Sequence, residues 1–263
     1  MRNEGSLRIG PAGLGSVKEA CETLERYHKL GFRACEIAFT YGVYIKNKED
    51  AERIGRKARE LDISLSIHGP YYINLNSGKK ETIEASKKRI IDCCEIGEIL
   101  GASRVVFHPG YYGDNKEDSL SVISENVREI LKHIKEKKWK IKIAPETMGR
   151  VNVFGGLQEI RGVVDASGCG YCIDFAHLLA RDKKVDYERV KEMFPEKEWH
   201  VHFSGIEYGE KGEKNHKKTE KDEWKVLLEN LPRDKEIVVI NESPSMMDDC
   251  VEGLKIARQM NLV

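Results

Sequence analysis

Short apolar runs rich in β-branched residues recur about every 30 to 40 residues along the chain, each followed by a charged stretch with helical periodicity. The runs are Leu7 to Gly10, Ala34 to Phe39, Ser64 to His68, Arg104 to His108, Lys140 to Ala144, Gly170 to Asp174, Glu198 to Phe203 and Glu236 to Ile240. Segments such as Arg104-Val-Val-Phe107 and Ile237-Val-Val-Ile240 carry apolar residues on both faces, as parallel strands covered by helices do. Between the runs, Val17, Ala20, Cys21, Leu24, Tyr27 and His28 share one helical stripe, which Ser16 and Glu19 are expected to open as a capping box. Ile123, Val127, Ile130, Leu131 and Ile134 form another. Eight strand–helix units in 263 residues match the size of a (β/α)8 TIM barrel, whereas a doubly wound sheet more often uses five or six strands. The expected fold is therefore α/β, with residues 1–263 forming a single barrel domain.

Composition narrows the function classes. The 44 Lys and Arg balance 44 Asp and Glu, which excludes a general polycation, and 40% hydrophobic with 33% charged residues fits a soluble globular chain. No apolar run is long enough to cross a bilayer, and the start MRNEGSLRIG lacks the hydrophobic segment of a secretory signal, so a cytoplasmic, membrane-independent chain is expected, with a monomer as the default. Seven cysteines make no even framework, and reduced thiols are expected. Cys169-Gly-Tyr-Cys172 has no second pair at matching spacing to complete a structural zinc site and reads as two small core residues. The Lys-rich run from Glu210 to Lys225 is expected to be a mobile loop or frayed helix on the functional face.

In such a barrel the chemistry projects from the C-terminal strand ends. From the third strand onward those ends are His68, His108, Glu146, Asp174 with His177 close behind, His202 and Glu242, all metal-ligand types. A lone histidine there would more often be a hydrogen-bonded structural residue. Six successive strands delivering imidazole or carboxylate to one rim is hard to obtain that way. Converging carboxylates would also repel one another unless cations sit among them. Mixed nitrogen and oxygen donors suit zinc, with manganese or iron as alternatives, and seven candidate ligands exceed what one zinc takes, so at least two ions are expected, bridged by Glu146. Paired metals suit in-line displacement at a phosphodiester. Tyr41, Tyr44, Tyr71, Tyr72, Tyr111, Tyr112 and Tyr208 fall in expected loops on the same rim, where they could stack on bases, while Lys46, Lys48, Arg150, Lys211, Lys214, Lys217 and Lys218 could hold phosphates. With zero net charge, any DNA contact would depend on such a local basic rim.

The segments His68-Gly-Pro-Tyr-Tyr-Ile-Asn-Leu75, Val105-Val-Phe-His-Pro-Gly110, Pro145-Glu-Thr-Met-Gly149, Cys172-Ile-Asp-Phe-Ala-His177, Val201-His202 and Asn241-Glu-Ser243 resemble, in order and spacing, the metal motifs of endonuclease IV, a family within the xylose-isomerase-like barrels. The resemblance runs over nearly the whole chain and implies a zinc-dependent apurinic/apyrimidinic endonuclease of base excision repair, acting on double-stranded DNA containing abasic sites. It implies one zinc on His68, His108 and Glu146, and a second on Glu146, Asp174, His202 and Glu242. A third would lie on His177 and His216, and Glu146 would also orient the nucleophile. Three departures stand out. The family's Asp-x-His pair for the third zinc is replaced by Lys214-Asn215-His216, with Glu213 the nearest acid. The arginine-bearing loop after the second strand is replaced by Tyr41-Gly-Val-Tyr44 and Lys46. Gly69-Pro70 replaces a more polar pair, although Tyr71 and Tyr72 remain placed to wedge into the base stack. His200 is expected inside the barrel, and His28 and His133 on helices as structural residues. The rivals are a metal-dependent sugar isomerase or epimerase on the same barrel and a non-catalytic binder of damaged DNA.

Overall fold

The computed structural model describes residues 5–113 and 116–263. Its first seven strands are β1 (Ser6–Pro11), β2 (Ala34–Ala38), β3 (Ser64–His68), β4 (Arg104–Phe107), β5 (Lys142–Pro145), β6 (Ile173–Asp174) and β7 (Glu198–Phe203). A hairpin of β8 (Gly205–Gly209) and β9 (Gly212–Lys217) precedes β10 (Glu236–Asn241). The helices are α1 (Ala20–Leu30), α2 (Lys48–Glu60), α3 (Lys80–Leu100), α4 (Ser119–Glu136), α5 (Leu157–Ser167), α6 (Phe175–Asp182), α7 (Tyr187–Met193), α8 (Lys221–Asn230) and α9 (Met246–Gln259).

Two arcs of parallel strands, β1-β10-β7-β6 and β2-β3-β4-β5, meet through single bridges between Ala12 and Glu36 and between Glu146 and Cys172. Among the described residues these eight strands close a TIM barrel in the order read from the sequence. Side-chain parity then sorts the interior. Ile67, Val105, Phe107, Ile143, Ile173, Val201 and Val239 belong to the main hydrophobic core. Val106, Ala144 and Cys172, of the opposite parity, form a separate small cluster. Because side chains alternate along a strand, the residues two positions beyond that inner layer also face inward, which brings His108, Glu146 and Asp174 to the mouth. The same step of two leads from Ser66 to His68 and from His200 to His202.

Several boundaries shift. Half of the expected capping box forms, Ser16 Oγ accepting the Glu19 N–H at 3.4 Å, but the same hydroxyl donates to Glu19 Oε2 at 2.7 Å and takes up the carboxylate that the box would turn to the backbone, and α1 begins only at Ala20. The fifth and sixth strands start later than the apolar runs, β6 holding only Ile173 and Asp174 after the Gly168 turn (φ +75°). The stretch from Glu210 to Lys225 is neither a loop nor a frayed helix. It supplies the tip of a hairpin, strand β9 and the start of α8. Its lysines occupy the exposed positions of these elements and conceal the pattern beneath. All seven cysteines are free, Cys169 and Cys172 both buried, and among the described residues no helix is long and apolar enough to cross a membrane.

Candidate metal centre at the barrel mouth

Glu146 lies at the centre of the cluster, fully buried just beyond β5, with its backbone N–H bonded to the Phe107 carbonyl at 3.0 Å. Its Oε2 lies 3.2 Å from His68 Nε2 and 3.3 Å from His108 Nε2. Its Oε1 lies 3.2 Å from His177 Nδ1 and 3.3 Å from His202 Nδ1. Glu242 Oε1 approaches the same His202 nitrogen at 3.4 Å. Asp174 caps α6, accepting the His177 N–H through Oδ1 at 2.7 Å, while its buried Oδ2 has no hydrogen-bond partner and sits 3.3 Å from His177 Nδ1. This Asp-x-x-His spacing therefore fixes the helix start and delivers an imidazole to the mouth in one turn.

Backbone contacts identify the nitrogens presented to the cavity. His68 Nδ1 donates to the Gly69 carbonyl at 2.8 Å and His177 Nδ1 to the Thr147 carbonyl at 2.9 Å. A carbonyl can only accept, so each Nδ1 carries a proton and Nε2 is the free donor atom. A lone pair on His68 Nε2 aimed at a carboxylate oxygen is repulsive until a proton or cation lies between them. Ligand atoms held about 2.0–2.1 Å from one tetrahedral zinc stand about 3.3 Å apart, which matches the separations of His68 Nε2, His108 Nε2 and His202 Nδ1 from Glu146.

The electrostatics express the same need. Burial alone would push His68 down, but the Glu146 carboxylate overrides it and holds the imidazole at about 9. Burial likewise opposes charge on His177 and His202, and neighbouring acids raise both well above the ordinary histidine range. His108, where desolvation wins, is lowered. Burial would raise Glu146, but His202 and the other imidazoles hold it well below the carboxylate range. Asp174 goes the other way: burial, reinforced by Glu146 and Glu242, pushes it up to about 6. Protons thus occupy positions where a bound cation would balance the acids.

Side chains of ligand type whose donor atoms lie within 4.8 Å of one another form the groups His68, His108, Glu146; His68, His202, Glu242; Glu146, Asp174, His202, Glu242; and His177, Glu213, His216. The last group depends on the hairpin. Tyr208 pairs with Glu213 but Glu207 pairs with Asn215, so Lys214 is an extra, bulged residue. Residues three apart on a regular strand face opposite ways; one bulged residue between them returns both to the same face. Glu213 Oε2 reaches 3.5 Å from His177 Nε2, and His216 Nδ1 is fixed by Ser204 Oγ at 2.6 Å. The hairpin is moored by Glu213 N–H to Gly149 O (3.1 Å). Glycine is required at this crossing, since a Cβ on Gly212 would stand 2.1 Å from the Gly149 carbonyl oxygen.

A cavity of about 330 Å³ opens above the cluster, bordered by Tyr71, Tyr111, Arg150, Glu213 and His216. Tyr71 stacks on His108 with ring centroids 5.6 Å apart. Tyr72 donates to the Tyr41 carbonyl at 2.7 Å, and Tyr41 itself is 89% exposed. Lys46 and Arg150 are exposed. Two of the expected rim tyrosines are placed otherwise. Tyr44 packs edge-on against Phe39 (5.1 Å), and Tyr112 is buried with its hydroxyl donating to Glu159 at 3.0 Å. Aromatic bulk at a loop's base is taken up by the core beneath it. His28 Nδ1 donates to the Leu61 carbonyl at 2.8 Å and His133 packs on Trp139, both away from the mouth. The sequence pattern alone did not single out Glu36, a fully buried acid on β2. A charged residue inside the apolar run Ala34 to Phe39 was the available signal.

A family model described as the xylose isomerase-like TIM barrel matches residues 24–249. The chain belongs to that family. The uncharacterized protein MJ0133 of Methanocaldococcus jannaschii is 33% identical over 99% of this chain and 100% of its own length. An apurinic-apyrimidinic endonuclease of Caenorhabditis elegans is 31% identical over 57% of this chain, which spans 41% of that relative. Endonuclease IV of Thermus thermophilus superposes with a TM-score of 0.71 at 20% identity, covering 96% of this chain and 98% of that one. D-psicose 3-epimerase of Clostridium cellulolyticum also reaches 0.71, at 14% identity and the same coverage. At these identities the two structures establish the shared barrel and nothing about chemistry.

Proposed function

We propose that the chain is a single catalytic barrel, a zinc-dependent apurinic/apyrimidinic endonuclease of base excision repair that hydrolyses the phosphodiester 5′ to an abasic site. On this reading it acts in the cytoplasm as a monomer on double-stranded DNA. The observation that carries the reading is that one buried carboxylate, Glu146, is shared between imidazoles on both its oxygens at 3.2–3.3 Å, with a further His177–Glu213–His216 group beside it. His68, His108 and Glu146 would hold one ion, Glu146, Asp174, His202 and Glu242 a second, and His177, Glu213 and His216 a third. Zinc, or manganese in its place, would supply a nucleophile at neutral pH and balance charge on the leaving oxygen.

The chain's own residues do the rest. Glu146, fully buried, orients the attacking oxygen. Tyr71 and Tyr72 offer flat faces at the rim for the bases flanking the gap, joined by Tyr41, while Lys46 and Arg150 draw phosphates towards the cavity. Glu213 takes the place of the aspartate that the endonuclease IV pattern would put there, reaching as far through its longer side chain and the bulge. A baseless sugar costs less to extrude than a paired nucleotide, which favours the damaged site.

The test is a nicking assay on a duplex with one abasic site, run beside elemental analysis of the purified protein. Two or three zinc ions per chain and nicking 5′ to the lesion are expected, with Glu146→Gln slowing nicking by at least about 1000-fold. Full cleavage by Glu146→Gln would refute the mechanism. One ion per chain with turnover of free ketoses would point to the isomerase or epimerase reading, and lesion binding without nicking at any metal supplement to the non-catalytic one.

A further inference from the structure

Beneath the mouth, Val106, Ala144 and Cys172 make one side of the barrel interior small and apolar, and Ser66 and His200 are buried at the same level. Glu36 places an acid among them. It is fully buried on β2, where a carboxylate is costly unless each oxygen is partnered. Oε2 is provided for: Ser66 Oγ donates to it at 2.8 Å and His200 Nε2 at 3.0 Å. Oε1 has no formed hydrogen bond, and 2.9 Å from it lies His202 Nε2, which is equally without one. The two atoms are close, yet the N–H does not point at the oxygen well enough to form a hydrogen bond. The opposite nitrogen of that ring faces Glu146 and Glu242.

We infer that Glu36 is a positioning residue for His202, its Oε1 accepting the Nε2 proton so that Nδ1 is left as the donor atom at the mouth. Filling the barrel does not require an acid at this level, since β4 and β5 manage with valine and alanine. Imidazoles that bind metal usually give their second N–H to a carboxylate or carbonyl, which sets the tautomer and strengthens the ligand. His68 and His177 use backbone carbonyls for this purpose. His202 lies mid-sheet, where neighbouring backbone carbonyls are engaged in the parallel ladder, and Glu36 supplies the acceptor from across the barrel. Ser66 and His200 in turn keep the carboxylate from swinging away.

The inference rests on the zinc reading above, and chelator-competed zinc titration separates the two. Wild-type protein is expected to fill its sites in resolvable steps. In Glu36→Gln one step should weaken about 10- to 100-fold, the others staying in place, with the unfolding transition of the metal-free variant still cooperative. Wild type without zinc uptake would overturn the zinc reading and this inference together; wild-type uptake with every step unchanged in Glu36→Gln would overturn the inference alone. Imidazole nitrogen NMR of zinc-loaded wild type decides the matter even where the variant does not fold. His202 protonated at Nε2 is the expected result, and protonation at Nδ1 overturns the assignment.

Discussion

His68, His108, Glu146, Asp174, His202 and Glu242 stand at the ends of barrel strands, their direction set by the parity of side chains buried below them, whereas Glu213 and His216 hang from a hairpin that does not join the barrel ladder. The first set is seated on a dry floor of Glu36, Ser66, Cys172 and His200. The second is held by a bulge, a glycine crossing at Gly149 and Gly212, and one hydroxyl from Ser204. A donor set by strand parity cannot move without the barrel, because a shift of one residue would exchange interior for core. Hairpin side chains can be exchanged locally, and on the proposed reading Glu213-x-x-His216 stands where the endonuclease IV pattern has Asp-x-His.

The rigidity of the strand-borne set can be tested through His200. Burial holds this imidazole down to about 4, and neutrality is the form that suits the floor. Its folded value lies below the ordinary 6.5 or so of an unfolded histidine, so its contribution is complete above that pH and is lost as pH falls towards 4. In denaturant unfolding of metal-free protein, the stability of wild type relative to His200→Gln should fall by on the order of 3 kcal/mol between pH 7 and pH 4. A constant difference would mean that the floor admits water and that the contrast between the two sets is overdrawn.

The same distinction governs what could be read from the residues alone. The barrel and the imidazoles and carboxylates at its strand ends were legible because a period of two and a βα repeat leave few ways to close a sheet. Tyr44 and Tyr112 were misplaced since nothing local says which aromatic residues of a loop sink into the core. The hairpin was hidden altogether: a bulge shifts parity at Lys214, and the lysine-rich surface of the segment has the composition of a disordered loop. Glu36 stands out in sequence only as an acid inside an apolar run, because His202, which it approaches at 2.9 Å, is distant in sequence and meets it only across the closed barrel.

Separability of the hairpin group is the next point to test. Glu213→Gln should remove one zinc per chain and slow nicking by about 10- to 100-fold, leaving the ions at the strand ends in place. Elemental analysis with the nicking assay reads both. Loss of all zinc would show that the hairpin donors are not a local appendage but part of one indivisible cluster, and unchanged zinc content would remove Glu213 from the third group.

The smallest effect is expected from deleting Lys214. As the bulged residue, it lies between Glu213, opposite Tyr208, and Asn215, opposite Glu207. Without it, Glu213 and His216 become two positions apart on a regular strand, and such residues share a face without a bulge. The turn at Gly209 to Gly212 lies before the deletion, and the Ser204 contact to His216 lies beyond it, so both moorings remain. Zinc content should be unchanged and nicking within about threefold of wild type, since parity is conserved by either spacing. Loss of the third zinc on deletion would instead show that the bulge does more than correct parity: the twist it adds to β9 would be what aims Glu213 at His177, and the two spacings would not be equivalent solutions.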